Sequence, residues 1–372
     1  MVSRIVLAIV VIALLASCQS QSPDTIKIGW VGPLSGAATS YGIPEFNGAK
    51  MAVETINADG GISGRTIELI TEDGRCDAAT AVSAATKLID VDGVKILLGG
   101  HCSTESMALI PLSSEKKMLM IAGATGTDAF TGAGKYAFRT FPSAQVLYSR
   151  LADVAYNQGT RKVVTLYEEK DWPKSVVNAF STQFTSLGGK VLAQEAFTSG
   201  ILDFRTSLLK LKQANADAIM LSVQGPDAAA KIIDQLNELG MDNLQIYGDA
   251  IVVSVPTYNK TNGKLPATAL GALPHSSTAY SERLKTFVQS YEQVYGELAT
   301  NPYYASEGYD GVLIAAELIK KCQEDADCMR SELVSRSWEG MTGTFTFDEN
   351  GDPSPFVGIA HVENGKLVFE GE

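Results

Sequence analysis

Two short polar segments each combine glycines with hydroxyl side chains directly after an apolar run. GGHCST (residues 99–104) follows the run 94–98, and GATGT (residues 123–127) follows the run 118–122. Glycine lets the backbone approach a ligand closely, and a serine or threonine at a helix start presents its hydroxyl beside free amides. Such a turn suits a small anion. Each segment alone is better explained as an unliganded helix cap, so the pair carries the hypothesis of an anion site.

Helix and strand patterns around these segments predict that both lie at one edge of a parallel sheet. The first part of the chain alternates between strand patterns at 26–31, 66–71 and 94–98 and helical patterns at 47–57, 78–90 and 105–116. This alternation is typical of an α/β fold with helices on both faces of the sheet. Open α/β sheets bind ligands beyond the carboxyl ends of their strands, where both segments are expected.

The same alternation starts again after Pro142 and predicts a second α/β unit. Its helices are expected at 144–157, 173–187, 202–213 and 227–239, and its strands at 162–167, 191–197, 218–223 and 244–247. Helical patterns recur at 281–295, 303–321 and 328–335, before a β-rich tail at 344–369. Those helices alone would have no sheet to cover, so we expect them to return to the first sheet and the tail strands to join the second.

The predicted fold class is therefore α/β, with two Rossmann-like lobes that have parallel central sheets. Lobe 1 is assigned residues 25–142 and 275–342, and lobe 2 residues 143–274 and 343–372, so that the chain crosses a hinge three times.

A length of 372 residues suits two domains, and 45% hydrophobic with 19% charged residues is the composition of a folded protein. A net charge of −12 without a Lys/Arg cluster argues against a nucleic-acid partner.

The N-terminus has the layout of an export signal. Arg4 precedes the apolar run 5–16, which is too short to span a membrane. The sequence LASC at 15–18 resembles a bacterial lipobox, which implies that residues 1–17 are removed and that Cys18 is lipidated. Residues 18–24 then form a tether, and the protein is extracytoplasmic and held at the membrane by its lipid anchor. The alternative is an ordinary signal peptide with an unrelated cysteine.

Five cysteines are an odd number for an exported protein. Lipidation of Cys18 leaves four, which is compatible with two disulfides in an oxidising compartment. Cys76 and Cys102 lie in neighbouring edge loops, whereas Cys322 and Cys328 flank an acidic loop and are close in sequence. A zinc site is disfavoured, because the cysteines do not form close CxxC pairs and the chain has only three histidines.

An ordered series of segments resembles the leucine/isoleucine/valine-binding family of type I periplasmic binding proteins, the receptors of amino-acid ABC importers. The matching segments are IKIGWVGPLSG (26–36), EFNGAK (45–50), INADGGI (56–62), CS (102–103) and FDENGD (347–352). The resemblance covers nearly the whole chain after the tether. It implies two lobes that close on an amino acid, branched-chain or related, and a disulfide between cysteines placed like Cys76 and Cys102.

The resemblance also implies which residues bind the ligand. Ser103 and Thr125 would bind its α-carboxylate, Gly123 would offer its backbone to the ammonium group, and Asp249 would supply the ammonium counter-ion from the second lobe. Family members often have glutamate at that last position. An Asx turn after Gly248 is the alternative explanation of Asp249.

Aromatic residues close the family's pocket, and Tyr41, Trp172 and Tyr304 stand at matching positions. Gln224 departs from the family, because branched-chain binders usually place tyrosine there. Its amide adds hydrogen-bonding capacity and favours a ligand with a polar side chain or an amide.

Two other functions compete with an importer receptor. His101 beside Cys102 and Ser103 suggests a nucleophile with a base, but neighbouring residues in an extended turn point apart, so we do not expect an enzyme. A sensor of amides, urea or amino acids that acts on a separate signalling protein is the second alternative. The expected partners of the receptor are ABC permease subunits. We expect a monomer without cofactor or metal, which contacts the membrane through its lipid anchor alone.

Overall fold

A computed structural model describes residues 25–274, 282–354 and 357–370. The expected signal peptide 1–17, the tether 18–24 with Cys18 and the expected lobe boundary at 275 lie outside these ranges. None of the helices in the described ranges has the length and hydrophobicity that spanning a lipid bilayer requires.

The first lobe is built on five parallel strands in the order β2-β1-β3-β4-β5. The strands are β1 (Ile26–Gly32), β2 (Ile67–Asp73), β3 (Leu97–Gly99), β4 (Met120–Ala122) and β5 (Ala137–Arg139), and the helices between them are α1 (Thr39–Ala58), α2 (Ala78–Lys87) and α3 (Ser103–Lys116). The strand order reverses between β1 and β3. A crevice forms at such a switch point, beyond the carboxyl ends of the strands.

The second lobe is built on a seven-stranded sheet in the order β14-β13-β10-β9-β8-β6-β7. Its strands are β6 (Lys162–Glu168), β7 (Lys190–Phe197), β8 (Ala218–Ser222), β9 (Gln245–Gly248), β10 (Leu270–Pro274), β13 (Val357–Glu363) and β14 (Lys366–Phe369). Strands β6 to β10 are parallel, whereas β13 and β14 are added antiparallel. Helices α4 (Ala144–Asn157), α5 (Asp171–Ser186), α6 (Arg205–Lys212), α7 (Pro226–Glu238) and α8 (Val255–Lys260) accompany this sheet.

Three later helices pack on the first lobe, as the sequence predicts. They are α9 (Glu282–Tyr295), α10 (Pro302–Cys322) and α11 (Ala326–Ser335). Helix α10 lies directly against α1. Gly48 and Gly308 form this contact, because a Cβ atom on Gly48 would come within 1.8 Å of the Ala305 carbonyl oxygen. Only glycine permits backbones to approach so closely.

A short antiparallel hairpin follows α11 and consists of β11 (Ser337–Gly340) and β12 (Gly343–Thr346). Trp338 and Phe347 are buried in the same hydrophobic cluster as Trp30 and Phe138 of the first lobe. The sequence-based lobe boundary between 342 and 343 therefore divides a hairpin that packs as one unit. The assignment of residues to lobes stays a prediction, with its last boundary better placed after Phe347.

Helix α1 begins well before the helix predicted at 47–57, and it contains Pro44. Pro44 is the sixth residue of α1, where it removes the hydrogen bond to the Ser40 carbonyl and its ring crowds that carbonyl, yet the helix continues through it. The sequence analysis also missed α8 and β10. The sequence of β10, LGALP, contains glycine and proline and is buried throughout, so it lacks the alternation that marks a half-buried strand.

Both expected disulfides are present, Cys76–Cys102 and Cys322–Cys328. The first is fixed to α3 by Glu105, whose carboxylate accepts hydrogen bonds from the backbone amides of Cys76 (2.9 Å) and Cys102 (3.0 Å). Glu105 is fully buried, and this burial raises its pKa to about 7.

This raised pKa predicts that the protein is more stable at pH 5.5 than at pH 8. Folded Glu105 holds its proton up to about pH 7, whereas the unfolded side chain loses it near pH 4, so stability falls as pH rises through that window. Burial also raises the pKa of Asp310 to about 7 and of Asp249 to about 6, so both groups likewise make the protein less stable as the pH rises.

Urea denaturation at the two pH values tests this expectation. Glu105→Gln should reduce the difference in unfolding free energy by about 1–2 kcal/mol, and the exposed-site control Glu115→Gln should leave it unchanged. Stability that rises between pH 5.5 and pH 8 would contradict the expectation.

Candidate ligand-binding cleft

The first polar segment connects β3 to α3 at the switch point of the first sheet. Gly99 has φ of +143°, and a Cβ atom there would lie 2.4 Å from the Val31 carbonyl oxygen, so the turn requires glycine at this position. Ser103 is the first residue of α3 and is 1% exposed. Its hydroxyl oxygen accepts a hydrogen bond from the backbone amide of Thr127 at 3.2 Å. The two polar segments therefore meet, as predicted.

The Thr125 side chain forms a further hydrogen bond between the two polar segments. Its hydroxyl donates to the Gly100 carbonyl oxygen at 3.0 Å and also contacts the Ser106 hydroxyl. The side chain is fully buried and does not line the cleft. The structure thus gives this hydroxyl internal partners, whereas the family resemblance assigns it to the ligand.

Between the lobes lies a narrow cleft of about 30 Å³ in this arrangement. Its lining consists of Ala38, Tyr41, His101, Cys102, Ser103, Ala124, Phe141, Trp172, Gln224, Ile251 and Tyr304. The structure therefore brings together Ser103, Tyr41, Trp172, Gln224 and Tyr304 from the predicted set. Gly123, Thr125 and Asp249 are not among the lining residues.

The two lobes touch across this cleft. The Tyr41 and Ser254 hydroxyl oxygens are 3.3 Å apart, and the Gln224 side-chain amide donates to the Cys102 sulfur at 3.6 Å. Gly126 of the first lobe lies under the Trp172 ring of the second lobe, where an added Cβ atom would come within 2.0 Å of the ring. The structure therefore represents a closed form.

The apolar walls of the cleft are mainly aromatic. The ring centroids of Phe141 and Trp172 are 5.7 Å apart, and those of Tyr41 and Tyr304 are 5.1 Å apart, both in edge-to-face arrangements. Burial raises the pKa of the Tyr41 and Tyr304 hydroxyls, which keeps them neutral at physiological pH. These rings offer flat apolar surfaces with polar edges.

Both carboxylate oxygens of Asp249 accept hydrogen bonds within its own lobe, and its charge acts on Tyr41 and Tyr304 of the cleft. One carboxylate oxygen accepts from the Ser222 hydroxyl (2.5 Å) and the Val223 amide (3.0 Å), and the other accepts from the amides of Ile251 (2.9 Å) and Val252 (2.8 Å). Asp249 is fully buried. The hydrogen bonds to Ile251 and Val252 fit the Asx-turn alternative considered from the sequence, and the role of Asp249 as ammonium counter-ion stays a prediction.

Gly123 and His101 are connected through Glu45. The Glu45 carboxylate contacts His101 Nδ1 and lies where a side chain on Gly123 would be, since an added Cβ atom would come within 2.4 Å of it. His101 lines the cleft and is 5% exposed. The sequence analysis considered His101 as a catalytic base and among the histidines for a zinc site, but not as a cleft residue. Its place in the first polar segment was the signal that it belongs to the site, and Cys102 is not a nucleophile because it is disulfide-bonded.

Ser103→Ala is expected to lower ligand affinity about tenfold, because it removes one hydrogen bond to a charged ligand group. Thr125→Val, in contrast, should mainly lower the free energy of unfolding, since the Thr125 hydroxyl bonds only to its own lobe. Calorimetric titration and urea denaturation of both variants measure the two effects. Equal losses of affinity in both variants would contradict this division of roles.

Comparison with known proteins agrees with this architecture. A family model described as "Periplasmic binding protein" matches residues 25–366. The chain is 26% identical over 341 residues to the "Leucine-, isoleucine-, valine-, threonine-, and alanine-binding protein" of Pseudomonas aeruginosa, covering 91% of this chain and 89% of that protein.

Two crystal structures are similar over almost the whole chain. The leucine-binding protein LivK from Thermotoga maritima has a TM-score of 0.85 at 26% identity, covering 93% of this chain and 97% of that chain. The second is a solute-binding protein of an ABC transporter from Rhodopseudomonas palustris BisB5 in complex with 3,4-dihydroxybenzoic acid. It has a TM-score of 0.81 at 25% identity, covering 92% of this chain and 95% of that chain. Together with the family match, these likenesses show that the chain belongs to the periplasmic binding protein family, whose members bind solutes and are not enzymes, and that it has the type I fold of the leucine/isoleucine/valine-binding proteins.

Proposed function

We propose that this protein is the extracytoplasmic receptor of an ABC importer for a small carboxylate with an apolar or aromatic body. The single observation that carries the proposal is the closed cleft, in which Ser103 and His101 of the first lobe face the aromatic walls. Ser103 lies at the N-terminus of α3, where free amides and the helix dipole favour an anion.

The composition of the described cleft lining favours a ligand without an ammonium group. None of the described residues that line the cleft is aspartate or glutamate. A buried ammonium without a counter-ion would be strongly disfavoured, because desolvation of its charge would not be repaid. The similar protein in complex with 3,4-dihydroxybenzoic acid supports this ligand class, whereas the leucine-binding relatives support an amino acid.

Delivery to a membrane permease follows from the same proposal. Closure on the ligand produces a distinct surface that a permease recognises, so the bound and free forms differ in their partner affinity. Lipidation at Cys18 would keep the receptor at the membrane as a monomer.

A thermal-shift screen tests the proposal. The purified protein is mixed separately with amino acids, aromatic and aliphatic carboxylates, simple amides and urea, each at about 1 mM. A ligand with a micromolar dissociation constant raises stability by about 4 kcal/mol at that concentration, which gives a clear shift. We expect carboxylates to give the largest shifts. A response to amides or urea alone would favour recognition through Gln224 and the sensor alternative.

A further inference from the structure

A second cavity lies at the connections between the lobes and shares no lining residue with the ligand cleft. Thr140, which follows β5 in the first connection, forms one wall, and Pro353 and Ser354, which lead toward β13 in the last connection, form another. Helix α10 supplies Glu307 and Asp310, one turn apart. The cavity has room for a particle about the size of one water molecule.

Glu307 has an unused oxygen in this cavity. Its Oε1 accepts a hydrogen bond from the Thr140 hydroxyl at 3.1 Å, whereas Oε2 is buried and has no partner among the described residues. The side chain is 5% exposed. A buried carboxylate oxygen without a partner is costly, so an ionised Glu307 requires a positive charge beside it.

The charges that face Glu307 are mostly negative. Asp310 is 4% exposed, and both its carboxylate oxygens accept from the Met341 backbone amide at 3.0 and 2.9 Å. Glu45 on the packed helix α1 adds further repulsion, and Arg283 attracts Asp310 from a distance. No salt bridge to Glu307 or Asp310 is formed within the described ranges. Burial, with repulsion from Glu45, raises the pKa of Glu307 well above its usual range, so a proton is the competing way to satisfy this site.

We propose that the hinge cavity binds one hard divalent cation, such as Ca²⁺, through Glu307 and Asp310 with hydroxyl oxygens of Thr140 and Ser354. The lining supplies oxygen atoms and two carboxylates, which are the ligands that such ions prefer. A cation there would join the first and last connections of the hinge. Its binding does not depend on the identity of the solute in the cleft.

Thermal unfolding with CaCl₂, MgCl₂, NaCl and KCl tests the site after EDTA treatment and desalting, at constant ionic strength. Extracellular Ca²⁺ modules have dissociation constants near about 1 mM, so CaCl₂ at about 10 mM is expected to raise the unfolding temperature by about 2 °C. Glu307→Gln should abolish the shift, and Glu115→Gln, which changes an exposed carboxyl of α3, should retain it.

A second measurement needs no variant. Tyr303 lines the same cavity, so Tb³⁺ bound there should give luminescence on excitation of tyrosine, and excess Ca²⁺ should remove it. The proposal is overturned if no divalent cation changes the unfolding temperature, if the shift persists in Glu307→Gln, or if only pH changes stability. A shift from NaCl or KCl without one from CaCl₂ would also overturn it.

Discussion

Gly126→Ala is expected to lower ligand affinity about a hundredfold, because the added methyl group prevents closure of the lobes. Gly126 lies in the first lobe, and its Cβ atom would come within 2.0 Å of the Trp172 ring in the second lobe. The steric conflict exists only when the lobes touch, and overpacking of this kind costs up to about 3 kcal/mol. A ligand that needs the closed form must overcome that cost.

Calorimetry and small-angle scattering measure the two consequences of Gly126→Ala. The variant should bind weakly and remain extended with ligand, while its unfolding free energy without ligand changes little. The control is a double-mutant cycle with Trp172→Leu, in which the alanine should cost much less because the ring is gone. Affinity at the level of the parent protein, or full compaction on ligand addition, would contradict the closed arrangement.

Gly308→Ala should destabilise the folded protein by about 3 kcal/mol, the other large effect that we expect. A Cβ atom at Gly308 on α10 would lie 1.8 Å from the Glu45 carbonyl oxygen on α1, so the two helices would have to separate. Because α1 also carries Tyr41 and Glu45, separation would disturb the cleft as well.

Gly311→Ala is a matched control on the same helix. Its Cβ atom would meet only the Leu98 side chain, at 3.6 Å, which is ordinary contact. Alanine also has a higher helix propensity than glycine by about 1 kcal/mol, so this variant should be unchanged or slightly more stable. Urea denaturation compares the two variants, and similar stability for both would show that α1 and α10 are less closely packed than described.

The sequence predicted the α/β architecture because hydrophobic periodicity reports directly which faces are buried. Helix α4 (Ala144–Asn157) has the predicted bounds, and β13 joins the second sheet as expected. The start of α1 was predicted at residue 47 instead of Thr39, because the helical periodicity was recognised only from there, and β10 was missed because a fully buried strand has no alternation.

The site was predicted less completely, because side-chain direction depends on contacts that sequence does not specify. Ser103 was predicted from the glycine and hydroxyl pattern of its segment, whereas Tyr41 and Trp172 were predicted from the family resemblance, and all three line the cleft. Resemblance placed Asp249 there, but one of its carboxylate oxygens accepts from the Val223 amide after β8 and the other accepts from the Ile251 and Val252 amides of its own loop. The hinge cavity is formed by segments far apart in the chain, so nothing in the sequence pattern indicates it.

The most direct measurement is a calorimetric comparison of an amino acid with the same molecule lacking its amino group. Leucine with 4-methylpentanoate and phenylalanine with 3-phenylpropanoate are suitable pairs, since each keeps the carboxylate and the side chain. A cleft without an acidic lining residue predicts that the deaminated acid binds at least as tightly as the amino acid. An amino acid that binds about a hundredfold more tightly, a difference of about 2.7 kcal/mol, would show that an ammonium counter-ion exists and that Asp249 turns toward the ligand.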